Sequence, residues 1–319
     1  MSDHYVVVTN CTSRKRAGVP LARLEPSSYT SELAEAVRLW RTTLASQPCL
    51  LPAGRLYVGR SINEARTVSE MLHAKLYVIS AGLGLVPADC TVPGYDLSAT
   101  GTTKGLHSVL ERCGASIIDW WRELTGDRGV KWLLSNSPTS VVLLALPADY
   151  LRLVRGEFES LSPSETSRLR VFTSVAGARM LAHLPQVSVM PYDERLESVP
   201  NMAGTRSDFP QRALRHFVCH LGAHQLPTDA AHREVEIAMS AYTKRIHPAR
   251  RRLTDAEVCD LIRKGWQACG GNSARLLRYL RDDEKVACEQ GRFAKLRHHV
   301  SCEFGKTSQP IAQGQVNVS

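Results

Sequence analysis

Aromatic residues are scarce: Phe, Trp and Tyr make up 6% of the 319 residues. A stacking platform for single-stranded nucleic acid needs successive exposed rings, so this composition argues against one. Long apolar runs are missing as well. No stretch of eighteen apolar residues occurs, which excludes a helical membrane span, and no membrane partner is expected. The nine cysteines are an odd number and never stand in Cys-x-x-Cys spacing. That usage speaks against a disulfide scaffold or zinc ribbon and for reduced thiols in a cytoplasmic protein. Met1-Ser2-Asp3-His4 leads straight into Tyr5-Val6-Val7-Val8 without a basic segment or cleavage site, so no secretory signal is expected. There is no solenoid repeat, and neither a nucleotide cofactor nor a metal has a specific signature.

What is present is positive charge on an ordinary globular background. Forty Lys and Arg against 31 Asp and Glu give a net charge of +9, with 43% apolar residues. Such an excess favours polyanionic partners, because each neutralised phosphate releases condensed counterion. The length accommodates one large domain and one small.

Up to about residue 228 the chain alternates buried-strand runs with helical patterns, the signature of an α/β fold with a mostly parallel sheet covered on both faces. Strands are expected at 5–9, 55–58, 75–80, 140–146, 170–173 and 186–190. Helices are expected at 31–46, 62–73, 106–124, 149–161, 177–184 and 210–221. Leu33, Ala36, Val37 and Trp40 repeat at helical spacing, as do Val109, Leu110, Cys113, Ile117 and Trp120, and both sets read as core stripes. Gly222, Pro227 and Thr228 read as a linker to a second, basic helical domain over 229–306, with 16 Lys/Arg and 11 Asp/Glu, a net of +5. The polar tail at 307–319 is expected to be disordered.

Within that second domain, Thr254 and Glu257 form a capping box ahead of Val258, Leu261, Ile262 and Trp266. Gly270-Gly271-Asn272 ends this helix, and Ser273 is placed to cap the next, which carries Leu276, Leu277 and Leu280. A third segment at 284–300 turns Val286, Phe293 and Leu296 inward while Arg292, Lys295, Arg297 and His298 project. The order resembles a helix-turn-helix DNA reader; a three-helix bundle with solvated arginines is the alternative. Arg250-Arg251-Arg252 precede it and are candidate phosphate contacts, as is Arg212 in the first domain.

Three stretches carry candidate chemistry. Ligands of open α/β sheets bind beyond the carboxyl ends of strands, and the first strand ends in Asn10-Cys11-Thr12-Ser13-Arg14-Lys15-Arg16. Hydroxyls followed by cations suit a phosphate or a polar base, and a thiol beside Lys15 and Arg16 is a candidate nucleophile. In Tyr77-Val78-Ile79-Ser80-Ala81-Gly82-Leu83-Gly84-Leu85-Val86-Pro87, Gly82 and Gly84 are expected to let a ligand approach the backbone, with Tyr95 and Asp96 at the rim. The dinucleotide spacing fails at Pro87. Pro191-Tyr192-Asp193 repeats the rim motif after a later strand and leads towards Arg206 and Arg212, both candidate anion binders. His216, His220 and His224 share one face of a helix, yet Gly222 interrupts it and no Glu follows the first His, so interhelical or surface histidines are expected, not a metal site.

The Cys-x-x-x-Lys loop, the Tyr-Val-Ile-Ser-Ala-x-x-Gly-Leu-Val-Pro stretch and the Tyr-Asp pair together resemble the YaaA-like superfamily over roughly residues 5–220. The resemblance implies a fold similar to uracil-DNA glycosylase and a link to nucleic acid or to 7-deazaguanine modification. One branch acts in bacterial DNA 7-deazaguanine systems, hydrating 7-cyano-7-deazaguanine in DNA to the 7-formamide. The chain lacks the additional domains of archaeosine synthase, another member. On this reading Cys11 attacks the nitrile as a thiolate, or Asp96 activates a water directly, with Lys15, Ser13 or Ser80 donating to nitrogen. Asn10, Thr12, Ser13, Ser80, Gly82, Gly84, Tyr95, Tyr192, Asp193 and Arg206 bind substrate. No cofactor is implied; the partners are DNA carrying a modified guanine and other proteins of the same modification system. A non-catalytic DNA-binding protein and a hydrolase or transferase acting on a free nucleoside are the competing readings.

Overall fold

The β-branched run after His4 forms the strand on which the larger part of the molecule is built. The computed structural model describes residues 4–24, 31–99, 104–245 and 250–307. The chain divides into two compact units, 1–245 and 246–319. The first begins with β1 (Tyr5–Asn10), β2 (Ala22–Arg23), α1 (Leu33–Ala45), β3 (Cys49–Pro52), α2 (Ala53–Leu56) and α3 (Arg60–Met71). It continues through β4 (Lys75–Ser80), β5 (Gly84–Pro87), β6 (Thr91–Pro93), β7 (Tyr95–Asp96), α4 (Lys104–Cys113), α5 (Ile117–Thr125) and α6 (Val130–Asn136). Then come β8 (Val141–Ala145), α7 (Ala148–Phe158), α8 (Pro163–Thr166), β9 (Leu169–Phe172), α9 (Val175–Leu181) and β10 (Ser188–Val189). A 3₁₀ turn (Glu194–Ser198), α10 (Phe209–Arg215) running into a π turn (His216–His220), and α11 (Thr228–Ser240) complete it.

Six strands form one sheet in the order β10-β9-β8-β1-β4-β5, parallel throughout except for β5, which returns antiparallel to β4. Side chains of a strand alternate between faces, and β1 shows it. Val6 and Val8 enter one apolar cluster with Trp40, Tyr57 and Trp120, whereas Val7 enters another with Phe172, Tyr192 and Phe217. Each buried valine contributes about 1.5–3 kcal/mol by leaving water. From β1 the chain moves out to β4 and β5, then crosses back to lay β8, β9 and β10 on the other side of β1. The order therefore reverses beside β1, and the crevice at the carboxyl ends of β1 and β8 is the place such sheets use for ligands.

Several sequence expectations change here. Residues 55–58 form no strand: Arg55 and Leu56 lie in α2, and only Tyr57 makes a single bridge, to Lys15. Four residues are too few for a period to distinguish a strand from a turn. The helix expected over 106–124 is two, because Ser116 and Asp119 build a capping box that starts α5 afresh. The Ser80–Gly84 stretch is the tip of the β4–β5 hairpin; Ser80 pairs with Gly84, whose φ of 77° suits the left-handed position of a three-residue loop. The unit boundary falls at 245/246 instead of 228/229, since Ala231, Val235 and Met239 of α11 are buried in the cluster around Phe217.

The second unit holds α12 (Asp255–Gly265), α13 (Ser273–Arg278) with a π turn (Tyr279–Asp283), and α14 (Gln290–Thr307). Val258, Ile262, Leu276, Leu280, Val286, Phe293 and Val300 form its core. The capping box at Thr254 and Glu257 is present. Asn272, not Ser273, caps α13, its side-chain oxygen accepting from the Ala274 and Arg275 amides. The third helix starts at Gln290, later than 284, because Val286 is held in a bridge with Arg251. The tail beyond Thr307 lies outside the described residues. Among the described residues no helix is long and apolar enough to cross a membrane.

Arg212, expected on a DNA-facing surface, is instead wholly buried. Its guanidinium donates to Asp208 at 2.7 Å, Glu197 at 3.2 Å, the Thr205 carbonyl at 2.8 Å and the Met202 carbonyl. It ties the 197–208 segment to α10 and, being wholly buried, presents no donor to a phosphate at the surface. Arg212→Ala leaves Asp208 buried without its cation and is expected to cost about 3–5 kcal/mol in a denaturant titration. A loss under about 1 kcal/mol would contradict this structural role.

Candidate functional site

The β1–β4 ladder runs one residue past β1, with the Cys11 amide donating to the Ile79 carbonyl at 2.9 Å. This fixes the Cys11 side chain at the carboxyl edge of the sheet, beside the point where the strand order reverses. Across that point the first turn of α7, which follows β8, brings the Tyr150 hydroxyl to 2.9 Å from the Cys11 sulfur. β4 contributes Ser80 and β7 contributes Tyr95, whose hydroxyl lies 2.6 Å from Ser80 Oγ and 2.9 Å from the Tyr57 hydroxyl. Lys15 Nζ sits 4.5 Å over the Tyr95 ring. Cys11, Tyr57, Ser80, Tyr95 and Tyr150 are each at most 3% exposed.

The loop after Cys11 is braced so that Lys15 faces this cluster. Thr12 Oγ1 donates to the Arg14 carbonyl and accepts from the Val58 amide, and the Val58 and Arg16 amides pair with Arg14 and Leu56. Thr12 is thus a loop brace, and Ser13 stands exposed to solvent. The hairpin tip is held by two indoles: Trp40 Nε1 donates to the Gly82 carbonyl at 2.7 Å and Trp120 Nε1 to Ala81 at 2.8 Å. Gly82 has a different use from the one expected. A Cβ there would meet the Tyr95 ring at 2.7 Å, so the missing side chain makes room for Tyr95 and not for a ligand. Gly84 serves the hairpin turn.

Burial, and then the negative charge of Cys11, pushes the Tyr95 and Tyr150 phenols well above their ordinary range; Tyr57 moves the same way for the same reasons. All three stay protonated near neutral pH and are therefore able to donate. Burial lowers the Lys15 ammonium, with the charges of Cys11 and Asp96 pulling it back up. Asp96 itself is exposed, 3.8 Å from Arg23. A sulfur nucleophile, neutral O–H donors and one amine are therefore gathered in a water-poor setting, the components of nucleophilic addition with general-acid assistance.

Sequence reasoning missed three residues of this region. Tyr57 and Tyr150 lay in segments read only for periodicity, although a tyrosine closely following a strand end, as in Pro147-Ala148-Asp149-Tyr150, is a usable signal. Gln211 gave none. Its amide nitrogen lies 2.8 Å from Asn10 Oδ1, 2.8 Å from the Ala145 carbonyl and 3.0 Å from Thr9 Oγ1, clamping the ends of β1 and β8. Its Oε1 is buried without a hydrogen-bond partner. Asn10 in turn donates to the Cys11 carbonyl at 2.8 Å.

Other expected residues fall elsewhere. Tyr192 is buried in the opposite cluster and shares a 2.9 Å hydrogen bond with His216 Nδ1. Asp193 caps the 3₁₀ turn and pairs with Arg195 at 2.9 Å, while Arg206 is exposed. Neither Tyr192 nor Asp193 shares a hydrogen bond with the Cys11 group. His216 stacks on His220, and the His224 ring lies edge-on to Tyr5. Among the described residues no three His, Cys, Asp or Glu form a metal-sized group. In the second unit, Arg292 is tied to Asp255 and to the Leu253 carbonyl, Arg297 to the Gly271 carbonyl, Arg250 to Asp282, and Arg251 to the Glu284 carbonyl. Arg252 and Lys295 are exposed, and so are Arg275 and Arg278 on α13, which sequence reasoning passed over.

Compared with protein-family models, curated proteins and solved structures, the chain matches none.

Burial lowers the His216 imidazole to about 4, from 6.5. The unfolded chain takes up this proton near pH 6.5 and the folded chain only near pH 4, so stability held above 6.5 is lost as pH falls through that window. His216→Gln should make the denaturation midpoint less steep in pH across this interval. An unchanged slope would show that His216 does not contribute.

Proposed function

We propose that this chain hydrates the nitrile of 7-cyano-7-deazaguanine in DNA to the 7-formamide, using Cys11 as nucleophile. The observation that carries the reading is the 2.9 Å approach of the Cys11 sulfur to the Tyr150 phenol at the carboxyl edge of the sheet, where its order reverses. A nitrile carbon is electrophilic but sluggish, and needs an activated nucleophile together with a donor for the nitrogen that gains charge. The sulfur attacks carbon, a C–S bond forms, and the nitrile π pair moves to nitrogen, which takes its proton from Tyr150. Water then adds to the thioimidate carbon while Asp96, beside Lys15, receives its proton. Asp96 passes that proton to the nitrogen. Collapse then breaks the C–S bond, returns the thiolate to Cys11 and gives the hydroxyl proton back to Tyr150, leaving a carboxamide with one water consumed.

The net charge of +9 supports a polyanionic substrate. A base inside a duplex cannot reach a buried thiol, so the reading includes extrusion of the nucleotide. The resemblance to the YaaA-like superfamily, and within it to the branch called DpdC, belongs to the same proposal. So do a uracil-DNA-glycosylase-like arrangement of the sheet, a helix-turn-helix-like second unit, and other DNA-modification proteins as partners. A binding-only role is the second reading, favoured by the Tyr95 ring filling the space over Gly82.

Mass analysis of nucleosides from DNA carrying the cyano base, before and after incubation with the protein, should show a gain of one water. Cys11→Ala and Cys11→Ser abolish the gain, and Tyr150→Phe slows it by roughly 10²–10⁴-fold, the range of general-acid assistance. DNA binding without any mass change would establish the binding-only role. Conversion of the free nucleoside but not of DNA would remove the DNA part of the proposal.

A further inference from the structure

The second unit spends its acidic residues unevenly. Asp255, Asp260 and Glu303 hold Arg292 and Arg263 in ion pairs of 2.6–2.8 Å. On the side formed by α13 and the start of α14, two neighbouring hollows of about 580 and 690 Å³ share Arg250 and Arg281. Arg278 and Ser273 line the first, Arg252 and Arg292 the second. Asp282 and Glu289 are the acids along this trough; Asp282 is engaged by Arg250, and Glu289 by the Gly291 and Arg292 amides. Arg252 and Arg278 are exposed and have no ion-pair partner among the described residues.

We propose that this trough receives the phosphate backbone of duplex DNA, with Arg252 and Arg278 making direct phosphate contacts and with α13 and the first turn of α14, rather than the rest of α14, facing the nucleic acid. Guanidinium groups suit phosphate because their fixed fork of N–H donors matches its oxygens. Arg252 and Arg278 can give all of theirs to a ligand, whereas Arg292 and Arg297 of α14 are committed to Asp255 and the Gly271 carbonyl. Contacts of this kind position the duplex without reading its sequence. The inference takes its partner from the proposed function, but its test is independent of the chemistry.

The test is anisotropy of a labelled DNA duplex with the full chain across a salt series. Arg252→Gln and Arg278→Gln should each lower the slope of log K against log salt by about 0.9, a loss of about eightfold at 0.1 M salt. Lys295→Gln on α14 should bind as the parent does, and unchanged melting temperatures would show that the exposed variants remain folded. Parent-like binding by both arginine variants, an equal loss in Lys295→Gln, or preference for duplex RNA over DNA would each overturn the proposal. If the arginine variants bind normally while cyano-base DNA is still hydrated, the trough falls and the enzymatic reading stands. If binding follows the trough but no hydration occurs, the reverse holds.

Discussion

The ladder that holds β1 between β4 and β8 determines where reactive groups can gather. Because β1 pairs in parallel on both sides, its carboxyl end opens where the chain departs in opposite directions, and Cys11 is the first residue beyond it. Gln211 reinforces this by joining Thr9, Asn10 and the Ala145 carbonyl from α10. The cysteine is thereby set on a rigid edge, not on a mobile loop, a condition for catalysis that depends on sub-ångström placement.

Around that edge, burial selects protonation states. Removing phenols from water keeps them neutral, so Tyr95 and Tyr150 can donate without carrying charge, while the same burial weakens the positive charge of Lys15. The protein thus places neutral hydroxyls beside a sulfur without holding that sulfur in a fixed ion pair. The cost of so many buried hydroxyls is offset by their bonding to one another in a chain from Tyr57 through Tyr95 to Ser80.

The α/β alternation was legible because the buried strands are β-branched or leucine-rich and bounded by turn residues, as at Val6-Val7-Val8 and Val141-Val142-Leu143-Leu144. Cys11, Lys15, Ser80 and Tyr95 were legible as candidates because they lie at the end of β1 or β4 or in the segments that follow those ends. What local pattern could not supply was contact across the fold. Gly82 reads as a ligand approach until the Tyr95 ring is found over it. Arg212 looks like any surface cation until the acids at 197 and 208 close around it. Arg292 and Arg297 project from a helical wheel, yet partners on other elements hold them. Burial of charge is decided by tertiary neighbours, to which periodicity is blind.

Trp40 holds the carbonyl at the hairpin tip while its ring meets Tyr95 edge-on, with centroids 6.4 Å apart. Any molecule that shifts Tyr95 must change the polarity around this indole. The chain therefore carries an intrinsic fluorophore against the Tyr95 ring, and a displacement of that ring has an optical consequence without an added label.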